Sequence, residues 1–261
     1  MKPYFGDGGF EAYAHRGGAG LWPQNTMMAF RGAVDLGYRF IETDVQKTLD
    51  GRLVLFHDPV LDGLTDGRGA VADWDWEDLN RLDAGYAFGP DRGFPHRRSG
   101  ARIPLVEEAF AAFPDVSFTL ELKVAGVAEP LVELIRRFER EDTVIIGSFL
   151  PDAMAEFRRA SGGRIATSAT KREVQAMWAA SRIGARIPVA ADAFQVPPVR
   201  RVRVVDRRFV AACHRAGKPV HVWTVDDPAE MRALLDLGVG GIMSDRPDVL
   251  RDVLAERGMR V

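Results

Sequence analysis

The feature that most constrains the fold is a rhythm along the chain, in which short apolar segments rich in β-forming residues precede longer amphipathic stretches. This pattern is typical of repeated βα units, which assemble into a parallel sheet. One amphipathic stretch, Val127 to Arg140, carries apolar residues at helical spacing. We predict eight strands, at Ala12–His15, Arg39–Val45, Ser117–Leu122, Thr143–Ser148, Arg164–Ser168, Ala193–Val196, Pro219–Thr224 and Gly240–Met243.

Eight strands with helices between them predict an α/β fold of the closed (β/α)8 barrel type. The chain has 261 residues, and barrels of about that length commonly form one domain. We therefore expect residues 1–261 to form a single domain. The stretch from about 59 to 103 is rich in glycine and aromatic residues and is too long for a simple loop. It predicts an insertion over one end of the barrel, with a short helix around Trp76 to Leu82.

One connection is too short for a crossover helix. Between Val45 and His57 the chain contains Asp50-Gly51, a strong signal for a tight antiparallel hairpin. If these two residues form the loop, counting back along both arms places Asp44 opposite His57. The hairpin would then bring a histidine back to a carboxylate.

Charge and cysteine content exclude several classes of protein. The formal net charge is −2, which gives no overall field to attract nucleic acid. The single cysteine, Cys213, cannot form an internal disulfide and is interpreted as a small buried hydrophobe. The beginning MKPYFGDGGF lacks an apolar signal core, and no run of 18 apolar residues occurs. We expect a cytoplasmic protein without a transmembrane segment. The sequence gives no indication of its oligomeric state. One basic run is interpreted as a solvated loop and helix start; it consists of Arg200, Arg201, Arg203, Arg207 and Arg208.

Side chains that can do chemistry collect toward the C-terminal ends of the predicted strands, which is where barrel active sites form. Glu42 and Asp44 lie two apart in one strand and must share a face, and Glu121 joins them from the next strand. Three carboxylates at close range raise one another's pKa unless a cation compensates them. Oxygen ligands favour Mg²⁺ or Ca²⁺, so the sequence predicts a divalent metal site.

Two histidines and two cations accompany the carboxylates. His15 and Arg16 close the first strand, His57 follows the hairpin, and Lys123 ends the third strand. Arginine and lysine together suit an anionic phosphate, and histidines suit proton transfer to attacking and leaving oxygens. Each of these residues alone is more typical of an ion pair or a satisfied core group. Their convergence indicates phosphoryl chemistry.

Several strings in the chain resemble the signature of the glycerophosphodiester phosphodiesterase family. The resemblance extends from about Ala12 to Leu250, and the ordered combination is far more specific than any one string. The strings are His15-Arg16-Gly17-Gly18, Pro23-Gln24-Asn25-Thr26, Ile41-Glu42-Thr43-Asp44-Val45, Phe56-His57-Asp58, Leu120-Glu121-Leu122-Lys123, Val222-Trp223-Thr224-Val225 and Gly241-Ile242-Met243-Ser244-Asp245.

The resemblance implies a metal-dependent hydrolase that converts a small glycerophosphodiester to sn-glycerol 3-phosphate and an alcohol. It implies a (β/α)8 barrel with a small insertion after the second histidine. The implied roles are metal ligands for Glu42, Asp44 and Glu121, a general acid and base pair for His15 and His57, phosphate contacts for Arg16 and Lys123, and contact with the alcohol for Trp223.

The sequence departs from the family pattern at two places. Gln24 stands where the family usually has glutamate, so one negative charge near the site is missing. Gly63 and Leu64 replace the usual arginine and threonine after the second histidine.

Three alternatives remain open at this point. The first is hydrolysis of lysophospholipids in the manner of a phospholipase D, which an exposed groove of Trp74, Trp76, Phe88 and Phe94 would favour. The second is an inactive barrel that binds phosphodiesters. The third, an amidohydrolase, is weaker because the first strand ends in one histidine and lacks an H-x-H pair.

Overall fold

The computed structural model describes residues 2–6, 8–199 and 203–261. Within them, nine strands form one sheet. Their bounds are β1 (Glu11–His15), β2 (Phe40–Lys47), β3 (Leu53–Leu55), β4 (Ser117–Leu122), β5 (Val144–Gly147), β6 (Ala166–Thr167), β7 (Phe194–Val196), β8 (Val220–Val222) and β9 (Gly241–Ser244).

Eight of these strands follow one another side by side in the order β6-β5-β4-β2-β1-β9-β8-β7, and each neighbouring pair is parallel. The two ends of this order meet through a parallel bridge between Ser168 and Ala193. The backbone N–H of Ala169 donates to the Ala193 carbonyl at 2.9 Å. The sheet therefore curls into a barrel, and the predicted (β/α)8 fold class is confirmed.

Helices surround the sheet. Their amphipathic faces explain their placement: in the stretch predicted as a helix from Val127, Leu131 and Ile135 are fully buried in the core while Glu133 is exposed. The helices are α1 (Met27–Asp35), α2 (Trp76–Leu79), α3 (Val106–Ala112), α4 (Ala128–Arg137), α5 (Pro151–Ala160), α6 (Lys171–Ile183), α7 (Arg207–Arg215), α8 (Pro228–Asp236) and α9 (Pro247–Ala255).

The alternation of side chains in β2 separates the core from the functional end of the barrel. Ile41 and Val45 belong to the apolar core that lies between strands and helices. Because successive residues of a strand point to opposite faces, Glu42 and Asp44 face the barrel interior. Cys213 is fully buried in the same core, as predicted.

The predicted hairpin is present, but its register differs by one residue. Val45 pairs with Leu55, and the N–H of Phe56 donates to the Asp44 carbonyl at 3.0 Å. The prediction that Asp44 lies opposite His57 is therefore wrong, since Phe56 takes that place. His57 lies beyond the paired residues, in the segment after β3.

The turn itself explains the shift. The N–H of Thr48 donates to the Arg52 carbonyl at 3.0 Å, so the loop contains three residues and not two. Gly51 has φ +83°, the left-handed conformation that three-residue hairpin loops place at this position. Counting two loop residues moved every partner by one.

Residues 59–103 have an apolar cluster of their own. Leu61, Val71, Leu79 and Ile103 are buried together with Val54 of β3. The helix predicted over Trp76–Leu82 is shorter, because α2 ends at Leu79.

The basic run falls partly outside the described residues, which leave out Arg200 and Arg201. Its remainder includes Arg207 and Arg208, which begin α7 and are exposed. Among the described residues, every helix is too short or too polar to cross a membrane.

Candidate active site

The carboxylates meet because their strands are in register. His15 of β1 pairs with Glu42 of β2, and Asp44 of β2 pairs with Glu121 of β4. Each carboxylate of Glu42, Asp44 and Glu121 offers an oxygen, and these three oxygens lie within 4.8 Å of one another. An all-oxygen set of this size suits a hard divalent cation.

Arg16 enters the site from a tight turn after β1. Its φ is +51°, and Gly17 follows with φ +80°. A Cβ on Gly17 would lie 2.7 Å from the Cβ of Ala29 in α1, so only glycine fits this close approach. The turn directs the Arg16 side chain back over the carboxylates. Its Nη1 donates to Oε1 of Gln24 at 2.6 Å.

Asp44 is held ionised by its surroundings. The carboxylate is buried, and burial by itself would raise its pKa. The ammonium of Lys123, at 2.9 Å, and the guanidinium of Arg16, at 3.4 Å, outweigh burial. Asn25 adds a hydrogen bond from Nδ2 at 2.8 Å. Together these contacts lower the pKa of Asp44 below its usual value.

Glu42 has the opposite environment. Burial, followed by the charge of Asp44, raises the pKa of Glu42 to about 7. Its closest cationic partner is His15, whose Nε2 lies 3.6 Å from Oε2 of Glu42. Burial opposes the charged form of His15, but Glu42 and Asp245 outweigh it and raise the pKa of His15.

Both candidate catalytic histidines are oriented by a carboxylate at Nδ1. His15 contacts Asp245 at 2.6 Å, and His57 contacts Asp58 at 2.5 Å. A carboxylate at Nδ1 favours the tautomer that carries the proton there, which leaves Nε2 to act on a substrate. This arrangement suits proton transfer by either histidine.

Lys123 bridges two of the carboxylates. Its Nζ lies 2.8 Å from Glu121 and 2.9 Å from Asp44. Burial alone would lower the pKa of this ammonium, but the two carboxylates raise it. Lys123 is therefore charged throughout the physiological range, which suits the phosphate contact predicted for it.

These groups open into one cavity of about 670 Å³. Seven of the eight predicted site residues line it: His15, Arg16, Glu42, His57, Glu121, Lys123 and Trp223. The eighth, Asp44, is 1% exposed and lies beneath the others. The structure thus brings all eight predicted residues together at one end of the barrel.

The sequence of the chain matches the profile of the "Glycerophosphoryl diester phosphodiesterase family" over residues 15–249. This range contains all eight predicted site residues. The chain belongs to this family. The resemblance noted in the sequence is thereby confirmed, and as a member of the glycerophosphoryl diester phosphodiesterase family the chain is a phosphoric diester hydrolase.

A relative in the same family is the "Probable glycerophosphodiester phosphodiesterase 2" of Mycobacterium tuberculosis. It is 37% identical over 258 residues, which cover 96% of this chain and 93% of that protein. Because almost all of both chains aligns, the family assignment applies to the whole barrel and not to a fragment of it.

Solved structures share the fold. A glycerophosphodiester phosphodiesterase from Agrobacterium tumefaciens superposes with a TM-score of 0.76 at 24% identity, covering 92% of this chain and 98% of that one. A phosphodiesterase from Oleispira antarctica, solved with the product sn-glycerol-3-phosphate, gives 0.76 at 23% identity, covering 94% and 96%. At these identities the likeness supports the barrel fold.

Sequence reasoning gave no role to three residues that organise this family member's site. Asn25 has φ +56° and is buried, donating to Asp44 and accepting from the hydroxyl of Thr43 at 2.7 Å. Asp245 and Asp58 orient the histidines. Asp58 follows its histidine directly, and this adjacency was the available signal. Asn25 and Asp245 gave no such local signal, because their partners lie far away in sequence.

Proposed function

We propose that this chain hydrolyses glycerophosphodiesters to sn-glycerol 3-phosphate and an alcohol. In this proposal Glu42, Asp44 and Glu121 hold a divalent cation, and His15 and His57 form the general acid and base pair. The observation that carries the proposal is the convergence of three carboxylate oxygens within 4.8 Å of one another with both histidines in one cavity. The product bound to the Oleispira antarctica relative supports the same substrate class.

The residues present fit a hard cation, either Mg²⁺ or Ca²⁺. Glu42 and Glu121 line the cavity and Asp44 lies beneath them, and one oxygen of each is close enough to the other two to bind the same cation. No sulfur or imidazole belongs to this oxygen set, which disfavours zinc. When bound, the cation would polarise a phosphoryl oxygen and neutralise its charge.

The cationic side chains supply the rest of the phosphate site. Arg16 and Lys123 line the cavity beside the carboxylates, and each retains N–H groups that no described contact uses. Their charge stabilises the additional negative charge that develops on phosphorus oxygens as the new bond forms. Gln24 holds the Arg16 guanidinium without adding a negative charge that would compete with phosphate.

The histidines move the protons. One accepts a proton from the attacking oxygen, and the other donates a proton to the oxygen of the departing alcohol as its bond to phosphorus breaks. His15 lies against Glu42, whereas His57 comes from the segment after β3, so the two reach the cavity from different elements.

Three further parts belong to the proposal. Trp223 lines the cavity beyond the carboxylates and contacts Phe149 edge to face at 5.7 Å, a suitable wall for the alcohol. Residues 1–261 act as a single catalytic unit, with 59–103 as its insertion. The reaction takes place in the cytoplasm, an expectation that rests on a chain with a single cysteine.

The test is the release of glycerol 3-phosphate from a panel of glycerophosphodiesters with Mg²⁺, Ca²⁺ or EDTA. We expect EDTA to abolish release and His57→Ala to lower kcat by about 10² to 10⁴. His214→Ala, which removes an exposed histidine of α7, is the matched control and should have no effect. Binding of a diester without release under any metal would instead support an inactive binding barrel.

The attacking group is tested separately. If the neighbouring glycerol hydroxyl attacks first to give a cyclic phosphate, a diester that lacks this hydroxyl will not turn over. Normal turnover of that substrate would show that water attacks phosphorus directly.

The groove expected for a lysophospholipid is not formed. Trp74 and Trp76 pack against the apolar cluster of the insertion. Phe88 and Phe94 are each covered by an arginine, whose guanidinium carbon lies 4.8 Å from the ring of Phe88 (Arg92) and 3.9 Å from the ring of Phe94 (Arg97). These contacts favour small diesters over lysophospholipids held at this surface.

A further inference from the structure

The cavity continues past the carboxylates to the opposite side of the barrel, formed by β5 to β8. There Gln195 of β7 lines the cavity together with Gly147 and Ser168, while Phe149, Trp178 and Trp223 provide aromatic walls. We propose that Gln195 accepts a hydrogen bond from a hydroxyl group of the leaving alcohol, and that it makes the enzyme selective for uncharged, hydroxyl-rich alcohols. This inference rests on the proposed function and specifies its substrate.

A chain of hydrogen bonds fixes the orientation of the Gln195 amide. The hydroxyl of Tyr13 donates to a carboxyl oxygen of the buried Glu11, and the hydroxyl of Tyr4 donates to that of Tyr13 at 3.3 Å. Tyr4 has then used its single proton. The 3.2 Å contact between Tyr4 and Thr119 must therefore carry the proton of Thr119.

Thr119 in turn has no proton left for Gln195. It accepts from Nε2 of Gln195 at 3.2 Å. The amide nitrogen is thus directed at Thr119, and Oε1 is the atom presented to the cavity. In the part of the chain that the structure describes, this bond to Thr119 is the one hydrogen bond of the Gln195 side chain. Oε1 is consequently a hydrogen-bond acceptor without a partner, and it needs a donor from the substrate.

The chain beneath Gln195 is rigid. Tyr4, Tyr13, Thr119 and Glu11 are each less than 5% exposed. The Tyr4 ring packs edge to face on Phe40 at 5.9 Å. A hydrogen-bond chain of this kind polarises each member and holds one rotamer, which pre-organises the acceptor for binding.

The space in front of Oε1 suits a small polar group. Residue 147 is glycine, and a Cβ built there would be 3.8 Å from Oε1 of Gln195 and 3.9 Å from the Cβ of Ser168. The aromatic walls offer faces for the C–H groups of a polyol, while the acceptor takes its hydroxyl. A hydrocarbon chain would leave Oε1 of this amide without a hydrogen-bond donor, which disfavours its binding.

The charges on this side disfavour a cationic alcohol. The carboxylates that line the cavity, Glu42 and Glu121, belong to β2 and β4 on the other side. Among the described residues that line the cavity from β5 to β8, Lys171 at the start of α6 is the one ionised group. A quaternary ammonium would meet a like charge here and has no N–H to give to Gln195.

The test compares glycerophosphoglycerol with glycerophosphocholine at saturating metal. We expect wild type to prefer the glycerol substrate. Gln195→Leu should lower kcat/KM for that substrate about tenfold, the usual effect of losing one neutral hydrogen bond to a substrate, and should change the choline substrate less than twofold. Gln175→Leu makes the same chemical change at the exposed rim of the cavity and should leave the ratio unaltered.

A second variant tests the hydrogen-bond chain that lies beneath Gln195. Tyr4→Phe keeps the ring but frees the proton of Thr119, so it should lower the glycerol-to-choline ratio about threefold in wild type and have no further effect in Gln195→Leu. Tyr86→Phe, at an exposed ring, is its control. If Tyr4→Phe lowers kcat/KM equally for both substrates, the hydrogen-bond chain has only a structural role and the inference fails.

Other outcomes also overturn the inference. Preference of wild type for choline would contradict it. If Gln195→Leu lowers kcat/KM equally for both substrates, Gln195 contacts the glycerol phosphate part that they share. If kcat/KM is unchanged for both, Oε1 binds no part of the substrate. If wild type releases glycerol phosphate from no diester, the proposed function itself fails, and this result differs from all the preceding ones.

Discussion

Replacing Glu11 with glutamine should make the stability of the barrel strongly dependent on pH. Glu11 of β1 and His221 of β8 meet at the buried base of the barrel, with Nε2 of His221 3.4 Å from the Glu11 carboxylate. Burial raises the pKa of Glu11 from 4.5 to about 7, although the bond from Tyr13 opposes this. Burial lowers the pKa of His221 from 6.5 to about 3.

The two shifts have opposite consequences between pH 4.5 and 6.5. There the folded protein holds a proton on Glu11 that the unfolded chain releases, so stability falls as pH rises. The folded protein does not bind a proton at His221, whereas the unfolded chain does, so the contribution of His221 to stability rises with pH. Each full difference of one proton gives about 1.4 kcal/mol per pH unit. In wild type these two slopes cancel within this window.

In Glu11→Gln only the histidine slope remains. The free energy of unfolding of the variant, relative to wild type, should therefore rise by up to about 3 kcal/mol from pH 4.5 to pH 6.5. Urea unfolding at several pH values in EDTA measures this difference, and groups common to both proteins cancel in the subtraction. A difference between variant and wild type that is constant with pH would refute the reasoning.

Three other predictions concern the active site. Asp245→Asn should lower kcat by at least tenfold with little change in KM, because His15 loses the partner that fixes its tautomer; equal activity of the variant would contradict this role. Asn25→Leu should destabilise the fold by about 1–3 kcal/mol and weaken metal binding, since Asp44 loses a buried donor; calorimetric metal titration and urea unfolding measure both effects. Mg²⁺ or Ca²⁺ at 100 times its Kd should stabilise wild type by about 2.7 kcal/mol but not Asp44→Asn, as thermal unfolding with and without EDTA will show.

The strands and the charged end of the barrel followed from local pattern. The predicted segment at Ser117–Leu122 has the observed bounds, and β2 places Glu42 and Asp44 on the interior face that period-two alternation requires. The prediction of the hairpin register was wrong because Asp-Gly fits both two-residue and three-residue loops. The choice between them depends on Thr48, whose side chain contacts Asp50 and the backbone of Arg52.

Local sequence pattern could not predict contacts between residues that are far apart in the sequence. Asp245 reaches His15 from 230 residues away in sequence, and no spacing rule connects them. Gln195 was in a predicted strand, but period two shows only that a residue faces inward. Whether an inward residue meets substrate or the packed base depends on its height in the barrel, and strand tilt sets that height.

This difference in height explains how one barrel interior holds two carboxyl groups whose pKa values are shifted in opposite directions. At the upper layer, Asp44 stays ionised because Lys123 and Arg16 supply charge. At the base, Glu11 has no cation within its described contacts and holds its proton up to about pH 7. Thr119 lies between the two layers and hydrogen-bonds toward both, to Tyr4 below and to the cavity-lining amide above. A change at Glu11 or His221 should therefore reach the substrate through hydrogen-bond orientation and not through charge, because both groups are uncharged between about pH 3 and pH 7.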